Sequence, residues 1–152
     1  MAEQLSSGIF RITGTSSEGT VIIGRHSRED RSLNPKPIYP LEGDEVGPNA
    51  TWEIEHQNED EYILRCHGAP VASHDQQLFA ILTEHHPPTV WKITKQAQGG
   101  YTIVVADDSG LGWVLPFIDE GDNKPIAVRP LIVQPSYPPR FPPNELFKFE
   151  KL

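Results

Sequence analysis

The sequence predicts an all-β protein, and three features support this prediction: short strand-like runs, frequent turn-forming residues and an internal repeat. The 152 residues include 15 Pro and 12 Gly, which leave only short segments for regular structure. Proline fixes the backbone φ angle and glycine frees it, so both favour turns over long helices. Apolar residues do not recur at helical spacing over any long span, and many short strands indicate a sandwich or a barrel.

Ten strand candidates follow one another along the chain, each bounded by Gly, Pro, Asn, Asp or Ser. They are rich in β-branched and aromatic residues or alternate in polarity, as strands with one buried face do. In order they are Ile9–Ile12, Thr20–Ile23, Trp52–Ile54, Tyr62–Leu64, Leu78–Leu82, Val90–Ile93, Tyr101–Val105, Trp113–Leu115, Ile126–Val128 and Leu146–Phe149.

The internal repeat favours one architecture among the all-β folds. A W-x-I element followed after seven residues by Y-x-(L/I) occurs twice, beginning at Trp52 and at Trp91. A degraded copy begins at Phe147, and its missing partner begins at Phe10, near the start of the chain. This arrangement fits a closed structure in which the last strand pairs with the first and exposes no edge. We therefore predict a β-trefoil of about twelve strands, a single domain over residues 1–152 with lobes at about 8–57, 58–96 and 97–152.

Composition and charge narrow the classes of function. A formal net charge of -8 argues against nucleic acid as a partner, and no apolar run approaches the ~20 residues that cross a bilayer. The first residues lack the basic and apolar regions of a secretory signal, and Cys66 is the only cysteine. We expect a cytoplasmic monomer without disulfides, in which the Asn49 acceptor stays unglycosylated.

The chain carries none of the usual motifs of an enzyme, and we expect no catalytic residue, metal or cofactor. His85 and His86 are adjacent, and in a strand they would point to opposite faces, so a solvent-exposed turn is the better interpretation. The same alternation separates Cys66 from His67 and favours a buried, inert thiol. The acidic groups at 107–108 and 119–122 do not follow the spacing of an EF-hand and are interpreted as solvated turns.

Trefoils often bind sugars, so a carbohydrate-binding protein is one alternative. Lectins of the ricin type carry Gln two residues before a Trp, whereas this chain has Ala50 before Trp52 and Thr89 before Trp91. Trp113 is the remaining candidate, either as an exposed platform for a sugar ring or as part of the core.

One segment, Gly24–Pro37, departs from the acidic character of the rest. It carries Arg25, Arg28 and Arg31 between two strand candidates and ends in a Pro-Lys-Pro sequence. Its acidic residues allow a simple interpretation as a solvated loop. Its length and its place on a closed barrel instead indicate a recognition loop presented by a rigid scaffold.

The whole chain resembles the small β-trefoil protease inhibitors of mushrooms, most closely the serine protease inhibitors of ink-cap fungi. The resemblance rests on length, the Gly8–Ile12 opening, the Trp-x-Ile and Tyr elements, the single cysteine and the Pro-rich segment 135–143. It implies a defence protein that blocks trypsin-like serine proteases. Related mushroom trefoils block cysteine proteases through other loops, which is a second alternative.

The resemblance also implies that the loop after the second strand carries the arginine that enters the protease. Arg28, flanked by Ser27 and Glu29, matches that position. Arg31, followed by a small residue, and Arg25, close to the strand, remain reserve candidates. Ser27, Asp30, Ser32 and Asn34 are the side chains expected to fix the loop by hydrogen bonds, since no disulfide can do so.

Overall fold

A computed structural model describes residues 5–16, 19–83, 88–107, 110–116, 124–134 and 140–152. Within these residues the protein is all-β, with twelve strands and three single-turn 3-10 helices at Gly43–Glu45, Pro48–Ala50 and Pro143–Glu145. The strands are β1 Gly8–Ser16, β2 Gly19–Arg25, β3 Lys36–Leu41, β4 Trp52–Asn58, β5 Glu61–Cys66, β6 Ala69–His74, β7 Gln77–Ala80, β8 Val90–Lys95, β9 Tyr101–Val105, β10 Leu111–Val114, β11 Ala127–Pro130 and β12 Phe147–Lys151.

Two of these strands, β3 and β6, were not predicted from the sequence. Both contain proline, which lacks the N–H that a strand donates to its neighbour. Pro37 lies opposite Phe79 in β7, Pro40 lies opposite Ile23 in β2, and Pro70 lies opposite Arg65 in β5. Pairing with the neighbouring strands makes these segments strands despite their composition.

Six strands close into a ring, in the order β1, β12, β9, β8, β5 and β4, and β4 returns to β1. The last strand pairs antiparallel with the first, with Ile12 opposite Phe149 and Gly14 opposite Phe147. The prediction that the two ends of the chain pair is confirmed. The ring leaves none of its six strands with a free edge, because every one has a neighbour on both sides.

The other six strands form three hairpins, β2–β3, β6–β7 and β10–β11, which pair with one another. β7 lies between the other two hairpins and pairs with β3 and β11. The backbone N–H of Ile126 donates to the carbonyl of Ile38 at 2.7 Å and links the third hairpin to the first. Backbone hydrogen bonds therefore join the three hairpins to one another.

Four aromatic side chains fill the centre of the core. Trp52, Trp91 and Phe147 are fully buried, as the repeat predicts. Trp113 lies among them, with ring centroids 5.4, 5.8 and 5.7 Å from those of Trp52, Trp91 and Phe147. Trp113 is itself fully buried, so the alternative of an exposed platform for a sugar ring is wrong.

Gly24 brings β2 close to the 3-10 turn before β4. A Cβ atom at this position would lie 2.6 Å from the Cα of Ala50, closer than real Cβ contacts allow. Only glycine therefore permits the approach of these two backbone segments. Gly24 is followed by Arg25, the last residue of β2, so the close packing also fixes the start of the next loop.

None of the helices in the described ranges is long and apolar enough to cross a membrane.

Candidate functional site

The arginine-rich segment forms the connection between β2 and β3. It is shorter than predicted: Gly24 and Arg25 belong to β2, and Lys36 and Pro37 belong to β3, which leaves residues 26–35 as the loop. The difference arises because both hairpin strands extend beyond their apolar runs, with Arg25 opposite Ile38. Arg25 and Lys36 are buried at the two ends, whereas Arg28 and Arg31 are exposed. Two buried cations thus flank a loop that presents two exposed ones.

Arg25 joins the first half of the loop to the barrel. Its Nε and Nη2 donate to the two carboxylate oxygens of Glu29 at 3.0 and 2.7 Å, a fork geometry that is among the stronger ionic contacts. Its Nη1 donates to the carbonyl of Cys66 at 3.2 Å, at the end of β5. The Arg25 side chain therefore lies inside the structure, where it holds the loop residue four positions later.

The 43–50 segment fixes the residues before Arg28. Asn49 Nδ2 donates to the carbonyl of His26 at 3.0 Å. The backbone N–H of Ser27 donates to the carbonyl of Glu45 at 3.0 Å, and Ser27 Oγ donates to the carbonyl of Asp44 at 2.9 Å. The Ser27 side chain was predicted to fix the loop by hydrogen bonds, and it does so through Asp44.

The buried Lys36 side chain hydrogen-bonds two residues in the second half of the loop. Its Nζ donates to Asp30 Oδ1 and to Ser32 Oγ, and the same Oδ1 accepts from the backbone N–H of Ser32 at 3.0 Å. The hydrogen bonds from Lys36 and then from Ser32 lower the pKa of Asp30 to about 2. Asn34 donates its backbone N–H to Ser32 Oγ at 3.3 Å. The side chains of Asp30 and Ser32 thus make the local bonds that the sequence predicts, whereas Asn34 takes part through its backbone N–H.

Arg28 and Arg31 differ from Arg25 in having free side chains. Neither guanidinium is hydrogen-bonded or ion-paired to another residue in the described ranges, although the backbone N–H of Arg28 donates to His26 Nδ1 at 2.9 Å. Leu33, two residues after Arg31, is 69% exposed and extends the same surface. The loop therefore presents two long basic side chains and one apolar side chain on a backbone that is fixed from both ends.

Arg140 is a further exposed arginine, and it was not considered in the sequence analysis. Arg140 lies in the connection between β11 and β12, where its backbone pairs with Gln134. The Gln98 side chain binds the backbone of Phe141 through both its oxygen and its nitrogen, at 2.7 and 2.8 Å. The prolines of this connection were used in the sequence analysis only as evidence for the family resemblance. The contacts of Arg140 and Phe141 could not be predicted there, because they involve residues that are not adjacent in the chain.

Glu145 fixes the start of the same connection. It is buried, and its Oε2 accepts from the backbone N–H of Ile132 at 2.7 Å. Its burial raises the pKa of the carboxyl group, opposed by the Ile132 hydrogen bond and the charge of Arg129. Ile132 itself is 71% exposed, so the connection presents an apolar side chain as well as an arginine.

The other chemically interesting residues of the sequence form no reactive site in the described residues. Cys66 is buried and donates through Sγ to the carbonyl of Asn49, and desolvation raises the pKa of its thiol to about 12. This agrees with an inert thiol. His85, His86 and the acidic segment 119–122 lie outside the described residues. In the part of the chain that the structure describes, no cluster of His, Cys, Asp or Glu side chains could hold a metal ion.

The structure thus presents an exposed loop that is hydrogen-bonded to a closed β scaffold. Comparison with known proteins identifies the family of the chain. Residues 3–151 match the family described as peptidase inhibitor I66, and the chain therefore belongs to that family. The predicted resemblance to mushroom inhibitors is confirmed, and the chain is assigned to the inhibitors and not to the enzymes.

Two relatives from fungi are similar over nearly the whole chain. A serine protease inhibitor of Lentinula edodes is 40% identical over 136 residues, which are 88% of this chain and 92% of that protein. The structure of a proteinase inhibitor from Coprinopsis cinerea is also 40% identical, with a TM-score of 0.84, and the match covers 97% of this chain and 99% of that one.

A more distant match shows the fold alone. The structure of a mosquitocidal holotoxin is 14% identical, with a TM-score of 0.69. The match covers 97% of this chain but only 18% of that protein. An identity this low carries no information about function.

Proposed function

We propose that this protein inhibits trypsin-like serine proteases, in a defence role, by inserting Arg28 of the β2–β3 loop into the specificity pocket of the enzyme. The observation that carries this proposal is the state of Arg28. Its side chain is exposed and free among the described residues, while Ser27 before it and Glu29 after it are both bonded to other parts of the protein.

The chemistry of trypsin-like enzymes supports an arginine in this role. They recognise the residue before the scissile bond through a carboxylate at the bottom of a deep pocket. A guanidinium group matches that carboxylate with paired, charge-assisted hydrogen bonds, and its stem fills the apolar walls. A loop that is already fixed in shape loses little conformational entropy on binding, which turns a substrate sequence into an inhibitor.

The contacts of the three candidate arginines support Arg28 and Arg31 over Arg25. The guanidinium of Arg25 is buried against Glu29 and the end of β5, and its removal from these partners would cost their hydrogen bonds. Arg28 is preferred to Arg31 because hydrogen bonds from the 43–50 segment fix the backbone beside it to the body of the protein. The neighbours of Arg31 are bonded within the loop and to Lys36.

We also propose that the fold is a β-trefoil made of a single domain. The closed ring of six strands and the three mutually paired hairpins support this architecture. Its lobes would be the four-strand groups β1–β4, β5–β8 and β9–β12, which agree with the predicted divisions at about 8–57, 58–96 and 97–152. Each lobe then contributes two strands to the ring and one hairpin.

The test is the inhibition constant for trypsin of the wild type and of single arginine variants. Arg28→Asn removes the apolar stem and the charge and leaves the carboxylate of the enzyme buried without a partner. We expect inhibition to weaken by about two to three powers of ten. Wild-type protein should inhibit chymotrypsin and elastase far less than trypsin, because their pockets lack the carboxylate.

Arg31→Asn and Arg140→Asn are the matched controls, since both replace an exposed arginine on a connection between strands. Both are expected to keep inhibition within a few-fold of the wild type. Loss of inhibition in Arg31→Asn alone would move the anchor within the loop. Loss in Arg140→Asn alone would move the reactive site to the β11–β12 connection, and papain inhibition without trypsin inhibition would replace the serine protease proposal.

A further inference from the structure

The ion pair between Arg25 and Glu29 spans the peptide bond that follows Arg28. Glu29 is the residue immediately after that bond, and Arg25 lies three residues before Arg28. The two side chains are 8% and 15% exposed, so solvent screens their interaction much less than it screens a surface pair. The chain before this peptide bond is therefore joined to the chain after it by a side-chain ion pair, in addition to the backbone.

Each side of this bond is also attached to the body of the protein. On the side before the bond, Ser27 and His26 are bonded to the 43–50 segment. On the side after it, Glu29 is bonded to Arg25, whose Nη1 donates to the carbonyl of Cys66 in β5. Breaking the Arg28–Glu29 bond would leave both new ends attached to the same scaffold.

We propose that Arg25 and Glu29 are positioning residues that keep the Arg28–Glu29 bond resealable. Hydrolysis adds one water across the bond and gives a carboxylate on Arg28 and an amine on Glu29. Resealing joins these two groups again and expels the water. Because the Arg25–Glu29 pair holds the amine beside the carboxylate, resealing has a high effective concentration and the intact loop is favoured at equilibrium.

This inference depends on the proposed function and gives a role to the acidic residue after Arg28. An acid directly after the scissile bond is a poor feature in a substrate and slows cleavage. Here the acid also fixes the position of the new chain end. The rate of cleavage cannot separate the slow cleavage before an acid from the positioning of the new chain end. The ratio of nicked to intact protein at equilibrium depends only on the positioning.

The experiment measures that ratio by mass spectrometry after prolonged incubation with a catalytic amount of trypsin, starting from intact protein and from nicked protein. In the wild type we expect mostly intact loop at equilibrium. Glu29→Ala removes the fork contact and should raise the nicked-to-intact ratio about ten- to a hundredfold, the value of a charge-assisted hydrogen-bonded contact. Arg25→Lys keeps the charge but loses the fork, and it should change the ratio in the same direction.

The matched control is Glu55→Ala, which removes a glutamate that also pairs with an arginine, Arg65, at 2.8 Å but spans no candidate bond. It should leave the ratio at the wild-type value. Because Arg25 is buried, Arg25→Lys is used only if its melting temperature shows a folded protein. Glu29 lies on the loop, so Glu29→Ala carries the test by itself.

Three outcomes overturn the inference: an unchanged ratio in Glu29→Ala, no nick after Arg28 in that variant, or a nick only between Arg31 and Ser32. The inhibition of trypsin by the wild type is measured in the same samples. Wild-type protein that fails to inhibit trypsin but reseals the bond overturns the proposed function and supports the role of the ion pair. Wild-type protein that inhibits trypsin while Glu29→Ala keeps the wild-type ratio supports the function and overturns that role.

Discussion

The aromatic centre of the barrel and the β2–β3 loop are stabilised by different forces. In the centre, Trp113 packs against Trp52, Trp91 and Phe147, and stability comes from removing apolar surface from water. In the loop, Glu29 and Ser32 are held by buried cations at its two ends, Arg25 and Lys36. The loop thus has no apolar core of its own, and hydrogen bonds join it to a scaffold that has one.

The largest expected effect tests the centre of the barrel. Trp113→Ala removes the side chain that contacts Trp52, Trp91 and Phe147, and it should lower the free energy of unfolding by about 3–5 kcal/mol. Below its melting temperature the variant should still inhibit trypsin, because the loop contacts are separate. Denaturant unfolding and inhibition assays check both statements.

Trp113→Phe provides the control for that substitution. The indole Nε1 of Trp113 is buried without an acceptor among the described residues, so the smaller ring loses packing but also removes an unsatisfied donor. Its effect should be clearly smaller than that of Trp113→Ala. Equal losses in the two variants would mean that the aromatic packing contributes little.

A smaller effect is expected where the two regions meet. Gly24→Ala places a Cβ atom against the Ala50 backbone, and relieving the overlap should cost about 1–3 kcal/mol. Because Asn49 also bonds to His26, the same shift should weaken trypsin inhibition. Gly14→Ala is the control, since its Cβ would lie 3.4 Å from the nearest atoms, on the Phe147 ring. A thermal melt that shifts equally in both variants would contradict the special role of Gly24.

The smallest effect on stability is expected in the second half of the loop and should depend on pH. The pKa of Asp30 is lowered to about 2, so its contribution is present above its ordinary pKa of 3.8 and disappears as pH falls through about 2. Asp30→Asn should therefore melt slightly below the wild type at pH 7, and the difference should shrink as the pH falls from about 4 to 2. Melting curves across this range check the prediction, and a constant difference at every pH would contradict it.

Much of the architecture could be predicted from local patterns. Alternation along each strand and the repeated spacing of Trp52 and Trp91 placed the buried aromatics and predicted that the last strand pairs with the first. Strands β3 and β6 could not be predicted, because their prolines disfavour strands locally and only pairing with neighbours makes them regular. The exposed loop and its arginines were visible in the sequence, but its ends were not.

What the sequence determined by itself was the set of residues with a fixed local role: the apolar faces, the turns and the basic composition of the loop. The tertiary structure decided which arginine is buried and which are exposed. Arg25 is bonded to the carbonyl of a residue 41 positions away, and Trp113 is central because Trp52, Trp91 and Phe147 all pack against it. Such contacts join residues far apart in the chain, so periodicity along the sequence carries no information about them, and the closed sheet alone brings them together.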